Sequence, residues 1–179
     1  MEDDAEMAED LAAILASLGW EHVVAASREE ARGVLRDHEI CIVLLDLQIK
    51  DTPSSIKGHV QYGRELLREI RRGHGEIFGQ RFWLPVLVVS GYAREVPEAV
   101  EVMRDGANDL VEKPFKSSEV SQRLRAVLEE CGRSSHEACL AGVPPAGPNS
   151  GEDVEISIPG ERVRRRTVVL VGQTRLTVT

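Results

Sequence analysis

The sequence predicts an α/β fold built on a parallel sheet. Short apolar runs rich in β-branched residues, which are typical of strands buried on both faces, alternate with segments of helical period. Three of these runs are followed, directly or after one further residue, by the polar residues Asp46, Ser90 and Lys113. Because the carboxyl ends of parallel strands meet at one edge of the sheet, we expect these residues to form one composite site. A fourth polar group, formed by Glu2, Asp3 and Asp4, opens the chain with no strand in front of it.

The predicted elements follow one another in a regular order. They are a helix over residues 5–18, a strand over 22–26, a helix after Ser27, a strand over 40–45, a helix from about residue 62, a strand over 86–89, a helix over 97–104, a strand over 109–111 and a helix over 118–130. Gly19 and Gly106 end helices, and Ser27 with Glu30 forms a capping box. The order therefore alternates strands with helices, as in a sheet of parallel strands.

The composition changes after the last of these helices. Residues 132–151 are dominated by Gly, Ser and Pro, which predicts an extended linker. Residues 152–179 contain three β-like runs, over 154–158, 163–171 and 174–179. We expect this tail to be too small for a core of its own. It must dock on the first domain or begin a further one.

Composition and charge narrow the class of protein. The 179 residues are 42% hydrophobic, and no apolar run is long enough to span a bilayer, so we expect a cytoplasmic protein without a membrane partner. A formal charge of −8 argues against nonspecific nucleic-acid binding by the whole chain. Three cysteines in no framework spacing indicate reduced thiols. Zinc binding by Cys131, His136 and Cys139 is disfavoured, because a fourth ligand is missing.

The polar groups at the strand ends suit phosphoryl chemistry. Carboxylates that share one sheet edge repel each other, and a hard cation such as Mg2+ relieves that repulsion. A hydroxyl from Ser90 and an ammonium from Lys113 would supply a hydrogen bond and a positive charge for phosphoryl oxygens. Singly, each residue is more often a turn or capping residue. Together, at successive strand ends, they favour a site that forms an aspartyl phosphate.

At these residues the sequence resembles the receiver domain of bacterial two-component response regulators. The resemblance covers about residues 2–131 and is carried by the acidic start, LLDL at 44–47, VVSGY at 88–92 and GANDLVEKPF at 106–115. It implies a flavodoxin-like, doubly wound sheet of five parallel strands in the order 2-1-3-4-5. The first strand is missing at the N-terminus of this chain. The resemblance thus divides the chain into a receiver domain at 1–131, the linker at 132–151 and the β-rich tail at 152–179.

The resemblance also implies a role for each site residue. Asp46 is the phosphoacceptor, and Mg2+ is held by Glu2, Asp3, Asp46 and the backbone carbonyl of Gln48. Ser90 is the switch hydroxyl, Lys113 pairs with the phosphate, and the peptide bond before Pro114 is cis. Asp4 is a secondary metal candidate. Leu110 stands where the family usually has an aromatic switch residue, and Tyr92 is the candidate to replace it.

Two departures from the family carry predictions about structure. The stretches 50–61 and 73–83 are longer than the family's loops, which predicts either a partner contact, a lid over the site or a tolerated insertion. The missing strand is central in the family, and without it two strands would stand apart with unpaired backbone groups. Either an upstream strand is encoded before Met1, which we favour for the native gene, or residues 167–171 of the tail fill the gap in parallel.

The implied function is that of a response regulator, not an enzyme. It would accept a phosphoryl group from a histidine kinase or phosphotransfer protein and switch a partner surface. Homodimerisation is left open, and DNA binding would require a further output domain. One alternative is a receiver-like interaction module that is not phosphorylated. A phosphatase of the haloacid dehalogenase type is less favoured, because that family needs a second Asp where this chain has Gln48.

Overall fold

The computed structural model describes the backbone of residues 3–72, 84–92, 96–132 and 167–172, and side chains from residue 9 onward within these ranges. The helices are α1 (Asp3–Ser17), α2 (Arg28–Asp37), α3 (Val60–Arg72), α4 (Val96–Asp105) and α5 (Ser117–Glu130). The strands are β1 (Glu21–Ala25), β2 (Ile42–Leu45), β3 (Val86–Ser90), β4 (Asp109–Glu112) and β5 (Thr167–Val171). Each predicted helix and strand in these ranges is present, with ends that differ by a few residues.

The five strands form one parallel sheet in the order β1-β5-β2-β3-β4. This confirms the predicted fold class. The strand missing from the N-terminus is replaced by β5, which pairs with β1 on one side and β2 on the other. A strand encoded upstream of Met1 in the native gene stays a prediction, and in this chain the tail fills the gap, which is the second alternative that the sequence left open. The physical reason is that both neighbouring strands need a partner for their backbone groups.

Alternate residues of β5 face opposite sides of the sheet, and both sides are covered by helices. Val169 and Val171 belong to one core, with side chains from α2, α3 and α4. Val168 and Leu170 belong to the other core, with side chains from α1 and α5. All four are at most 5% exposed. The tail strand therefore contributes apolar surface to both layers of a doubly wound fold.

The helix α2 begins as its sequence predicts. Ser27 is its N-cap, and the Ser27 hydroxyl accepts a hydrogen bond from the Glu30 backbone N–H at 3.1 Å. The Glu30 carboxylate accepts from the backbone N–H of Ala26, one residue before the cap, at 2.7 Å. These bonds satisfy donors that the helix itself leaves unpaired.

An ion-pair cluster joins α3 to α4. The guanidinium groups of Arg64 and Arg68 donate to the Asp105 carboxylate through their Nε atoms at 2.6 and 2.8 Å. Burial by itself would raise the pKa of Asp105, but the hydrogen bonds from the two arginines and their charges lower it below the ordinary value of 3.8. The charged form of Asp105 is therefore favoured by folding.

Asp105→Asn is expected to lower the free energy of unfolding by about 1–3 kcal/mol at pH 7. The carboxylate has a lower pKa in the folded chain than in the unfolded chain, so its contribution is present above about pH 4 and is lost as the pH falls through the folded pKa. Urea unfolding at a series of pH values should show the two proteins converging at low pH. Asp37→Asn is the matched control, because the Arg36–Asp37 pair is 59% exposed on both sides. An equal loss for both variants would contradict the assignment.

Several predictions fall on parts of the chain that the structure does not describe. These are the loop at 73–83, the linker at 132–151 except its first residue, the runs 154–158 and 174–179, His136 and Cys139. The division of the chain into three parts stays a prediction. Cys41 is buried and Cys131 is partly buried, and neither forms a disulfide. Within the described ranges, no helix has the length and apolar character needed to cross a membrane.

Candidate functional site

The ends of three neighbouring strands bring the predicted site residues together. Asp46 follows β2, Ser90 is the last residue of β3, and Lys113 follows β4. The Lys113 ammonium donates to Asp46 Oδ2 at 2.7 Å, and the Ser90 hydroxyl donates to Asp46 Oδ1 at 3.4 Å. The side chains of Asp46 and Lys113 are each 17% exposed, so the carboxylate remains reachable from solvent. The parallel sheet thus assembles the predicted carboxylate, hydroxyl and ammonium at one edge.

Backbone groups fix this arrangement. The N–H of Gln48 donates to Asp46 Oδ1 at 3.0 Å, and the N–H of Tyr92 donates to the Ser90 hydroxyl at 3.3 Å. The N–H of Lys113 donates to the carbonyl of Ser90 at 3.2 Å, and the Lys113–Pro114 peptide bond is cis, the isomer that the resemblance implies. Ser90 itself is 1% exposed. The hydroxyl and the ammonium therefore approach the carboxylate from positions set by the sheet.

The tail strand contacts the site directly, which the sequence did not reveal. The backbone N–H of Asp46 donates to the carbonyl of Val171 at 2.8 Å, and the N–H of Gly172 donates to the carbonyl of Ala25 at 3.0 Å. The residue that carries the candidate nucleophile is thus held in place by the last residue of β5. The apolar run at 167–171 predicts a strand, but it does not reveal the register in which that strand pairs with its neighbours.

A second constraint on Asp46 comes from α3. A Cβ atom placed on Gly63 would lie 2.3 Å from the carbonyl oxygen of Leu47 and 2.5 Å from its Cα. Leu47 directly follows Asp46 and is fully buried. The helix can therefore approach the site loop only because residue 63 has no side chain. The signal in the sequence is a glycine inside a helical segment.

The remaining predicted residues have different outcomes. Glu2 lies outside the described residues, whereas the backbones of Asp3 and Asp4 form the start of α1 and their side chains are not described. Leu110 packs against the core, and Tyr92 is 41% exposed. Among described side chains, no three His, Cys, Asp or Glu residues are grouped as metal ligands.

Comparison with known proteins places this arrangement in a family. The family model described as "Response regulator receiver domain" matches residues 1–125. The chain belongs to the receiver-domain family of response regulators. This match confirms the resemblance that the motifs indicated. It also supports the prediction that the chain is a receiver domain of two-component signalling.

Relatives and solved structures agree with the assignment to this receiver family. The phosphate regulon transcriptional regulatory protein PhoB of Pseudomonas aeruginosa is 27% identical over 138 residues, covering 77% of this chain and 54% of PhoB. The DNA-binding response regulator MtrA of Mycobacterium tuberculosis is 28% identical over 165 residues, covering 92% of this chain and 60% of MtrA. This receiver chain thus spans little more than half the length of these relatives.

The crystal structure of the receiver domain of NtrX from Brucella abortus superimposes with a TM-score of 0.56 at 29% identity. The match covers 71% of this chain and 93% of the NtrX domain. The five-stranded parallel sheet therefore has the receiver fold, and its strand order, with β5 between β1 and β2, is compatible with that fold.

Proposed function

We propose that Asp46 accepts a phosphoryl group from a histidine kinase or phosphotransfer protein, and that this chain is the receiver of a two-component phosphorelay. The observation that carries the proposal is the contact of the Asp46 carboxylate with the Ser90 hydroxyl and the Lys113 ammonium. A carboxylate oxygen would bond to phosphorus while the P–N bond of a phosphohistidine breaks and the imidazole nitrogen keeps the electron pair. Lys113 and Ser90 would then hold the new phosphoryl oxygens.

Mg2+ is the proposed cofactor of this reaction. The Asp46 carboxylate at the site and the Gln48 carbonyl that the family resemblance implies are both oxygen donors, which fit a hard cation by ligand type. Glu2 and Asp3 are the proposed additional carboxylates, with Asp4 as a secondary candidate. The metal would neutralise charge on the phosphoryl group. The Lys113 ammonium and the Ser90 hydroxyl would orient the phosphoryl group by binding its oxygen atoms.

The response to phosphorylation would begin at Ser90 and Lys113. A phosphoryl group adds about 1.5–2 negative charges. Movement of Ser90 toward this charge would pull on Tyr92, whose N–H donates to the Ser90 hydroxyl. Tyr92 is the proposed replacement for the family's aromatic switch residue, because its half-exposed side chain follows Ser90, whereas Leu110 is packed against the core.

The wider role stays a proposal. We infer a cytoplasmic regulator that is not an enzyme and that transmits its state to a partner or to an output domain outside these residues. Homodimerisation is left open, and DNA binding would require a further output domain. A haloacid-dehalogenase-type phosphatase is disfavoured by Gln48. The phosphorylation-incompetent interaction module is the outcome that the following experiment would reveal.

Incubation of the full chain with Mg2+ and acetyl phosphate should add one phosphoryl group, detected by intact mass. Asp46→Asn should abolish the adduct, because the amide is not a nucleophile for phosphorus. Lys113→Met should slow loading, and chelation of the metal should prevent it. A melting curve of the Asp46→Asn variant checks that the variant is folded like the wild type. No adduct on the wild type, or an adduct that survives Asp46→Asn, would contradict phosphorylation at this site.

A further inference from the structure

The loop between β2 and α3 is anchored to the rest of the fold by hydrogen bonds. It runs over residues 46–59, and every residue of it is described. Leu47 and Ile49 are fully buried, so its first part belongs to the core. The N–H of His59 donates to the carbonyl of Ile49 at 2.8 Å, which closes the loop at its base. Its shape is therefore set by the fold.

The start of α2 holds the middle of this loop. The backbone N–H groups of Arg28 and Glu29, which the helix leaves unpaired, donate to the carbonyls of Lys50 and Asp51 at 2.8 and 3.0 Å. The guanidinium of Arg28 donates through Nε to the Asp51 carboxylate at 2.7 Å. A surface loop with these anchors has already lost much of its conformational freedom in the free protein.

Arg28 also ties the loop to the helix that follows it. The same guanidinium pairs with the Glu65 carboxylate and lies 5.4 Å from the centre of the Tyr62 ring. Only 14% of the Arg28 side chain is exposed. The positive charge of Arg28 is thus balanced by the carboxylates of Asp51 and Glu65. It does not contribute to the outer surface of the loop.

What the anchored loop presents to solvent is an apolar side chain next to a cation. Ile56 is 91% exposed, and the neighbouring Lys57 is also exposed. A single exposed apolar residue is ordinary on a protein surface. An isoleucine at the tip of a preorganised loop is different, because a partner can bury it without the cost of ordering the loop.

The loop also borders the phosphoacceptor site. A cavity of about 400 Å³ lies between the end of the loop, α3 and Tyr92, and Gln48 lines it as well. Gln48 and Tyr92 are the residues whose N–H groups donate to Asp46 and Ser90. A protein that delivers a group to Asp46 must therefore approach beside this loop.

We propose that the loop at 50–59 is a recognition element for the protein that donates the phosphoryl group, with Ile56 as its apolar anchor. This inference rests on the proposed phosphorylation of Asp46. The partner surface that fits is an apolar hollow for Ile56 bordered by a carboxylate for Lys57. Small phosphodonors make no use of the loop, because their whole structure fits at the carboxylate.

The test compares protein and small-molecule donors on the same variants. The soluble kinase portions of the histidine kinases encoded in the same genome are autophosphorylated with radiolabelled ATP, and the fastest donor to the wild-type chain is selected. Ile56→Asp should slow transfer from that kinase at least tenfold, and Lys57→Glu should slow it less. Loading by acetyl phosphate and the melting temperature should not change, because Ile56 packs against little. Met103→Asp, at an exposed position of α4, is the matched control.

The results distinguish the proposed role of the loop from the proposed phosphorylation of Asp46. Unchanged transfer from the kinase to Ile56→Asp would overturn the role of the loop. So would failure of every kinase to label a wild-type chain that acetyl phosphate labels normally, because the proposal requires a protein donor. Failure of both kinds of donor to label Asp46 would instead overturn the proposed function, and the loop proposal with it.

Discussion

Deletion of residues 152–179 is expected to abolish cooperative unfolding and phosphoryl loading together. Four side chains of β5 are buried, and their loss removes about 6–12 kcal/mol of apolar stabilisation, an upper estimate that approaches the typical total stability of a domain. The backbone groups of β1 and β2 that pair with β5 would also lose their partners. Thermal melting by circular dichroism and intact mass after acetyl phosphate treatment measure the two effects.

A shorter deletion and a point variant separate the strand from the rest of the tail. Removal of residues 173–179 keeps β5, so the melting transition should remain. Val169→Asp keeps the chain length but places a charge at a fully buried position, and it should unfold the domain as the long deletion does. A sharp, unshifted transition after deletion of 152–179 would show that the sheet does not depend on β5.

Gly63→Ala is expected to damage both stability and the site. The added methyl group would lie within 2.3 Å of the Leu47 carbonyl oxygen, so either α3 or the backbone after Asp46 must move. Overpacking of this kind costs about 1–3 kcal/mol. A shift of the Asp46 carboxylate by up to about 1 Å would reduce the rate of phosphoryl loading roughly ten- to hundredfold. Urea unfolding and the time course of acetyl phosphate loading measure the two effects.

Gly33→Ala is the matched control for this prediction. Gly33 is also inside a helix, but a Cβ atom there meets only the end of the Arg36 side chain at 4.0 Å. Alanine should therefore stabilise the helix by about 0.5–1 kcal/mol, with no change in loading. If Gly63→Ala behaved like Gly33→Ala, the close approach of α3 to Leu47 would not be required.

The sequence predicted the elements that depend on near neighbours. The apolar runs gave the strands, because a strand buried on both faces needs a continuous apolar sequence. The Ser27 and Glu30 pair gave the start of α2, since a capping box is completed within one turn. Asp46, Ser90 and Lys113 could be placed together because the edge of a parallel sheet gathers strand ends.

The sequence was less informative where partners are distant along the chain. The insertion at 50–61 was compatible with a partner contact, a lid or a tolerated loop, and only the hydrogen bonds to Arg28 and Glu29 show that it is anchored. Arg71 resembles an ordinary basic residue in the last turn of a helix. In the structure its guanidinium donates to the carbonyls of Gly106 and Leu84 at 2.5 and 2.7 Å. Periodicity contains no information about such contacts.

By itself, the sequence determined that this chain is a doubly wound α/β receiver with a candidate phosphoacceptor, a hydroxyl and an ammonium at one sheet edge. Local period, capping and strand-end position are short-range properties, so they can be read residue by residue. Only the tertiary structure decided that the tail supplies the strand between β1 and β2 and that Val171 holds the backbone of Asp46. That choice depends on which segment best satisfies the unpaired groups of β1 and β2, which is a property of the whole fold.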